Sequence, residues 1–328
     1  MENRILTVLS NKRLTGDVYE MRLCTDCEPT CADIGRIGST GDVSDITKAC
    51  DTGKIDGGKA HGSDIGAGVC DSLTDCGIDG SCKEIVSDDC GKNAATDIDI
   101  AGGFCGGEDI CRIEDEIKPG QFINIKLDGF YLRRPISICD FGKGFVKIIY
   151  KTVGHGTEKL SMTKEGETLD VLLPLGNGYD MSKSGERPLL LGGGVGVPPL
   201  YGLCKRLTEE GKRVSVVLGF GTDSEIFYED EFRALGADVR VTTVDGSRGT
   251  KGFVTDALPE DYTYFYTCGP EPMLRAVYNL TKTSGQLSFE ERMGCGFGAC
   301  MGCSCKTKYG YKRICRDGPV LEKEEIIW

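Results

Sequence analysis

Arg187-Pro-Leu-Leu-Leu-Gly-Gly-Gly-Val-Gly-Val-Pro-Pro-Leu200 reads as a buried strand that runs into glycines and then into a helix opened by proline. Glycines at such a junction let the backbone approach a pyrophosphate, and the helix N-terminus behind them supplies positive potential. The third glycine of the G-x-G-x-x-G pattern is absent, with Pro199 in its place, so a plain glycine-rich turn is the alternative. Outward from this stretch the pattern alternates. PPLYGLCKRLTEEGK reads as a helix with Gly211 just past its end, RVSVVLGF as a strand, and IFYEDEFRALG as a helix closed by Gly236. DVRVTTVD and YTYFYTCG read as strands and PEPMLRAVYNLTK as a helix. Strands and helices of these lengths predict a doubly wound parallel α/β sheet over residues 186–285. Thr267-Cys268-Gly269-Pro270 ends a later strand of that sheet, and nucleotides bind at the carboxyl ends of such strands. Gly193, Gly194, Gly196, Cys268 and Gly269 are therefore candidate contacts for a dinucleotide.

Toward the N-terminus the rhythm differs. RILTVLSNKRL and VYEMRL read as short strands joined by a turn at Thr15-Gly16-Asp17. IKPGQFINIKL follows a turn at Pro119-Gly120 with alternating Ile123, Ile125 and Leu127. FYLRRPISI, FVKIIYKTV and ETLDVLLPL come at close spacing with glycine turns between them. That spacing predicts a small antiparallel β-barrel or sandwich over residues 1–185.

The barrel segment is interrupted. Residues 24–111 hold fifteen aspartates and three glutamates against five lysines and one arginine, which is the whole of the chain's net charge of -12. The same block holds ten of the 18 cysteines and only one aromatic residue, Phe104. Its large aliphatic content is too low for ordinary core packing, so it reads as an acidic excursion from a barrel loop. Cys24-x2-Cys27-x3-Cys31 leaves a second metal or iron–sulfur site open there. A disulfide module would need an oxidising compartment, and no segment has the EF-hand order calcium requires.

Composition also excludes function classes. An acidic chain of 328 residues without a basic block is a poor nucleic-acid binder. No apolar run approaches the roughly 18 residues of a membrane span. The start, MENRILTVLS, lacks a secretory h-region, so a cytoplasmic setting with reduced thiols is expected. With only His61 and His155, histidine triads and histidine-rich zinc sites are excluded.

The last segment, 286–328, carries Cys295-Gly-Phe-Gly-Ala-Cys300-Met-Gly-Cys303 and then Cys315. C-x4-C-x2-C with a distal fourth cysteine is the plant-type spacing for a 2Fe-2S cluster. Gly294, Gly296, Gly298 and Gly302 let the loop backbone come close to the sulfides. A four-cysteine zinc knot is the alternative, although zinc usually takes paired C-x2–4-C knuckles. Cys305 reads as a bystander, because four ligands already complete the pattern.

Arg134-Pro135-Ile136-Ser137 on a barrel strand is followed by Ile149-Tyr150-Lys151 and by Gly154-His155-Gly156-Thr157. An arginine fork suits a phosphate, and a glycine–threonine turn offers backbone and hydroxyl donors. Ordinary surface strand chemistry is the alternative, and His155 reads as a solvated turn residue. A nicotinamide exchanges an electron pair as a hydride, whereas a 2Fe-2S cluster exchanges single electrons. A flavin is the expected go-between, and the barrel offers it a place.

The segments PGQFINIKL, LRRPISI, GHGT, LLLGGGVGVPPL, TVDGSRGTKG, TCGPEPML and EERMGCGFGACMGCSCKT with ICRDGPV resemble the ferredoxin-reductase superfamily. Within it the chain is most similar to the electron-transfer subunits of NAD-dependent dihydroorotate dehydrogenase (type B). The resemblance covers residues 1–23 and about 112–328. It implies that Arg134, Pro135, Ile136 and Ser137 hold FAD and its phosphates. It further implies that Ile149, Tyr150 and Lys151 line the flavin by backbone and that Gly156 and Thr157 meet the pyrophosphate. Cys295, Cys300, Cys303 and Cys315 would ligate the cluster. The partner implied is an FMN-containing catalytic subunit in a heterotetramer, with electrons running from dihydroorotate through FMN, cluster and FAD to NAD. Ile136 stands where many relatives carry an aromatic residue, and Gly221-Thr222 lacks an arginine for a 2′-phosphate, which favours NAD over NADP. The rival readings are the small subunit of a ferredoxin:NAD(P) or sulfide-type oxidoreductase and, in another class, a cysteine-rich metal-binding protein.

Overall fold

The computed structural model describes residues 1–24 and 116–328. Residues 25–115, with the open question of a second metal site, lie outside the described residues.

Six antiparallel strands close a barrel in the order β1-β2-β5-β4-β3-β6. They are β1 (Glu2–Arg13), β2 (Val18–Cys24), β3 (Phe122–Ile125), β4 (Arg134–Gly142), β5 (Phe145–Lys151) and β6 (Thr168–Leu175). Alternation fills the interior: Leu6 and Val8, Met21 and Leu23, Ile123 and Ile125, Val146 and Ile148, and Leu169, Val171 and Leu173 share one core. In the sequence the acidic block stands between β2 and β3. In place of the turn expected at GHGT there is a short helix, α1 (His155–Ser161), entered from Gly154. His155 stays solvent-exposed against Glu158 at 3.1 Å.

Residues 188–322 build a seven-stranded sheet in the order β10-β9-β8-β7-β11-β12-β15. Its members are β7 (Pro188–Gly193), β8 (Ser215–Phe220), β9 (Asp238–Thr243), β10 (Thr250–Lys251), β11 (Tyr264–Cys268), β12 (Gly285–Ser288) and β15 (Val320–Glu322). All pairings are parallel except that of β12 with β15. Successive side chains divide between two faces, as a doubly wound sheet requires. Leu190, Val216, Leu218 and Tyr266 face α2 (Pro198–Glu209) and α3 (Glu229–Ala234). Leu189, Leu191, Val217 and Phe265 face α4 (Glu271–Leu280). The cysteine-rich C-terminal segment is stitched into this sheet by β15, and it carries the hairpin β13 (Ser304–Thr307) with β14 (Gly310–Arg313), then α5 (Ile314–Asp317).

Barrel, sheet and C-terminal segment share apolar cores. Val18, Cys139 and Ile149 of the barrel are buried with α2 and its strands. A Cβ on Gly202 of α2 would stand 2.8 Å from the Cys139 carbonyl oxygen, so a glycine is what lets helix and barrel strand come this close. Phe122 and Leu175 pack on the other side with Cys303, Ile314 and Cys315. Asn124 is the polar residue of β3 and is 1% exposed. Its Oδ1 has no partner among the described residues, a situation that costs about 1–3 kcal/mol. Among the described residues, no helix is long and apolar enough to cross a membrane.

Candidate functional site: a barrel seam, a dinucleotide cavity and a four-thiol loop

The barrel wall parts between β4 and β5. Their ladder joins Ile138 to Ile148 and continues only away from that pair, toward Gly142 and Phe145. Arg134–Ser137 pair with β3 on one side, and Ile149–Lys151 pair with β2 on the other. The two expected flavin segments therefore face each other across a seam with free backbone edges. Such edges offer N–H and C=O groups to a planar polar ring without any contribution from side chains. At the mouth of the seam the Arg134 guanidinium lies 4.7 Å over the Phe130 ring. It also covers Gly156, where a Cβ would sit 2.0 Å from Nε, so any larger residue there would push the guanidinium aside. The Thr157 hydroxyl donates to the Gly154 carbonyl at 3.0 Å and accepts from the Val153 N–H at 2.9 Å, which holds the start of α1 in shape. Tyr150 contributes backbone to the seam, while its ring is buried. It stacks 5.8 Å from Tyr19, and its hydroxyl donates to Asn11 at 2.9 Å.

A cavity of about 500 Å³ opens at the carboxyl ends of β7, β8 and β9, where the sheet order predicts a nucleotide. Gly193 and Gly194 line it. Gly196, Cys268 and Gly269 do not; they form its support. A Cβ on Gly196 would fall 2.3 Å from the Cys268 carbonyl, so the two glycine loops interlock. Cys268 is buried, and burial, with Glu290 nearby, pushes its thiol well above the ordinary range. Among the other lining residues, which the sequence reading does not single out, are Met273, Phe253 and Glu225. Met273 is packed against both Gly193 and Gly269. Glu225 accepts from the Gly221 N–H at 3.1 Å and sets a carboxylate at the end of the second strand of the sheet's first half. An acidic residue past such a strand is a legible signal for a ribose diol.

The four cysteines of the C-terminal loop stand as two pairs. The Cys295 N–H points at Cys300 Sγ at 3.5 Å, and the Ala299 and Cys300 N–H groups point at Cys295 Sγ at 3.2 and 3.4 Å. The Cys315 N–H points at Cys303 Sγ at 3.4 Å. Among the described residues, no three metal-ligating side chains converge on a single point. Two thiol pairs are the ligand set of a two-iron centre, and N–H groups aimed at sulfur are the usual surroundings of such a cluster. Gly296 (φ +80°) and Gly298 (φ +94°) turn the loop, and a Cβ on Gly294 would lie 3.2 Å from Cys300 Sγ. Burial raises the Cys295 thiol, but the N–H groups of Cys300, Phe297 and Ala299 outweigh it and bring it down to about 6. Cys315 is pushed up to about 12 by burial and by the neighbouring Cys303 thiol. Cys303 and Cys315 are buried, while Cys300 is exposed beside Phe297 and Met301. Cys305 lies on β13, half-buried and outside both pairs.

Comparison with known proteins matches two of these segments to known domains. Residues 290–327 match the iron-sulfur cluster binding domain of dihydroorotate dehydrogenase B, and residues 190–279 match an oxidoreductase NAD-binding domain. The chain is 48% identical over 224 residues to the dihydroorotate dehydrogenase B (NAD(+)) electron transfer subunit of Fusobacterium nucleatum, covering 63% of this chain and 86% of that one. It is 46% identical over 229 residues to the subunit of the same name from a Geobacillus strain, covering 66% and 89%. Among solved structures, that of an NADH-dependent reduced ferredoxin-NADP oxidoreductase superposes with a TM-score of 0.66 at 24% identity, covering 98% of this chain and 90% of that one, which shows a shared fold. With these relatives matched over most of their length, the chain belongs to the family of electron transfer subunits of dihydroorotate dehydrogenase B (NAD(+)).

Proposed function

We infer that this chain is the NAD-facing electron-transfer subunit of a dihydroorotate dehydrogenase and serves pyrimidine biosynthesis beside a separate catalytic subunit. The observation that carries the reading is the assembly, in one body, of an opened barrel seam, a dinucleotide cavity and two thiol pairs. Bound nicotinamide, FAD and a 2Fe-2S cluster supply the conversion between paired and single electrons. The protein's own work is to hold and space them. Residues 1–185 outside the acidic block form the flavin domain. There Arg134, Gly156 and Thr157 hold the phosphates, and the edges of Arg134–Ser137 and Ile149–Lys151 hold the ring. Residues 186–285 take NAD, with Gly193 and Gly194 at the phosphates and Gly196, Cys268 and Gly269 behind them. Residues 286–328 hold the irons through Cys295 with Cys300 and Cys303 with Cys315. No acid–base side chain is assigned.

The partner is an FMN-containing catalytic subunit that oxidises dihydroorotate in a cytoplasmic heterotetramer. The exposed Cys300, Phe297 and Met301 mark the face nearest the cluster. Co-purification from the native cell tests this. An FMN-containing partner that oxidises dihydroorotate supports it, and a ferredoxin- or sulfide-linked partner overturns it.

The preference for NAD has a physical origin in Glu225. A carboxylate at the ribose end of the cavity accepts from a 2′-hydroxyl and repels a 2′-phosphate. Glu225→Gln removes the repulsion. The ratio of kcat/KM for NADPH to that for NADH is expected to rise about tenfold in dye reduction. An unchanged ratio would place the discrimination elsewhere.

A further inference from the structure

We propose that Asn124 is a positioning residue that fixes the cluster loop to the flavin strand and orients the peptide that follows Cys295. This rests on the reading of Cys295 as a cluster ligand. In Phe122–Ile125 the two isoleucines point into the barrel core. Phe122 points the other way, into the core that holds Cys303, Ile314 and Cys315. Strand alternation places Asn124 on the face of Phe122, toward the C-terminal segment. Every other residue of β3 is apolar, and an amide buried there without full hydrogen bonding is disfavoured relative to an apolar side chain of similar size. Packing therefore does not account for it.

The amide reaches across to the loop. Its Nδ2 donates to the Cys295 carbonyl oxygen at 3.4 Å. The next residue, Gly296, has φ +80°, and a Cβ on it would stand 2.2 Å from the same Nδ2. Loop and amide are thus fitted to each other in shape as well as in bonding. On its own strand Asn124 lies in register with Pro135 of the Arg134–Ser137 segment. Its backbone oxygen accepts from Arg133, which also pairs with Asp170 of β6 at 2.8 Å. One residue thereby spans from the strand that flanks the seam to the backbone of the first cluster cysteine.

The consequence follows from peptide geometry. In a trans peptide the C=O and the next N–H point in opposite directions. A Cys295 carbonyl held toward β3 turns the Gly296 N–H away from the barrel and into the loop, where the Ala299 and Cys300 N–H groups already surround Cys295 Sγ. Hydrogen bonds to the sulfurs set a cluster's potential and its hold on iron. Without the Asn124 donor this peptide is free to rotate.

The test uses the full chain with FAD and iron bound. Asn124→Leu removes the donor while filling the space, and Asn124→Ala removes it with a smaller side chain. Both variants are expected to retain flavin and a cooperative unfolding transition. Each should lose iron to excess chelator about tenfold faster than wild type and show shifted g values in the dithionite-reduced spectrum. Wild-type release rates and g values in the variants would overturn the proposal. If the leucine variant does not fold, the alanine variant decides it. A wild-type protein without a two-iron signal would sink the functional reading instead, so the two failures are distinguishable.

Discussion

Cys315→Ala should yield a protein that stays yellow and is still bleached by NADH, yet holds almost no iron. The wild type should bind about two irons per chain. Cys315 is buried beside Cys303, at the start of α5 and at the base of the loop. Removing its sulfur would leave one iron of the pair short of a protein ligand, and among the described residues no cysteine outside the two pairs is placed to replace it. Cys305, the nearest in sequence, belongs to β13 and lines a separate cavity with Phe289, Lys306 and Trp328. Cys305→Ala is the control and should keep its iron. The seam and the dinucleotide cavity do not include Cys315, so NADH:dye activity should survive while reduction driven by the catalytic subunit falls by at least about 100-fold. Iron analysis beside the two assays checks this. Retention of two irons in Cys315→Ala would remove that residue from the ligand set.

Arg134→Ala should weaken FAD binding by about 10- to 100-fold, enough for flavin to be lost on gel filtration at micromolar protein. A charge-assisted hydrogen bond contributes about 1.5–3 kcal/mol, and about 1.4 kcal/mol corresponds to a tenfold change. Arg134 is preset for the proposed role: Phe130 stacks beneath its guanidinium and Gly156 leaves the room above it. Arg134→Lys should restore binding only in part, because an ammonium keeps the charge but loses the fork and the stacking. Gly156→Ala should resemble Arg134→Ala, since a methyl group there occupies the arginine's place. Flavin content per chain and fluorescence titration of the apoprotein measure both effects. Undiminished flavin in Arg134→Ala would mean that the seam alone holds the cofactor.

Much of this was legible before any coordinates. The alternation of Ile123, Ile125 and Leu127 marks β3, and the strand–glycine–proline order around Gly192–Pro199 marks the parallel sheet. The cysteine spacing marks the thiol loop, because covalent neighbours and tight turns alone set it. What escaped is tertiary. Gly285–Ser288 and Val320–Glu322 are too short and mixed to read as strands, and they become strands only by pairing with each other and with β11. The helix at His155 is two turns long and opens on glycines, so propensity points to a turn. The parting of β4 from β5 leaves no mark in either strand's sequence, since it is a matter of where the ladder stops. Glu225 and Asn124 were overlooked for opposite reasons. The first is one acid among several in Asp223–Glu231, and the second is a polar residue inside an apolar strand whose purpose lies some 170 residues away.

The central claim, that electrons cross between nicotinamide and the thiol-held irons only by way of the flavin in the barrel seam, is tested most directly by anaerobic addition of NADH to the isolated holoprotein and to the same protein stripped of flavin. In the holoprotein the account predicts bleaching near about 450 nm together with the paramagnetic signal of a reduced 2Fe-2S centre, and in the stripped protein no such signal. A cluster reduced by NADH without flavin, or a holoprotein whose flavin NADH leaves oxidised, would contradict it.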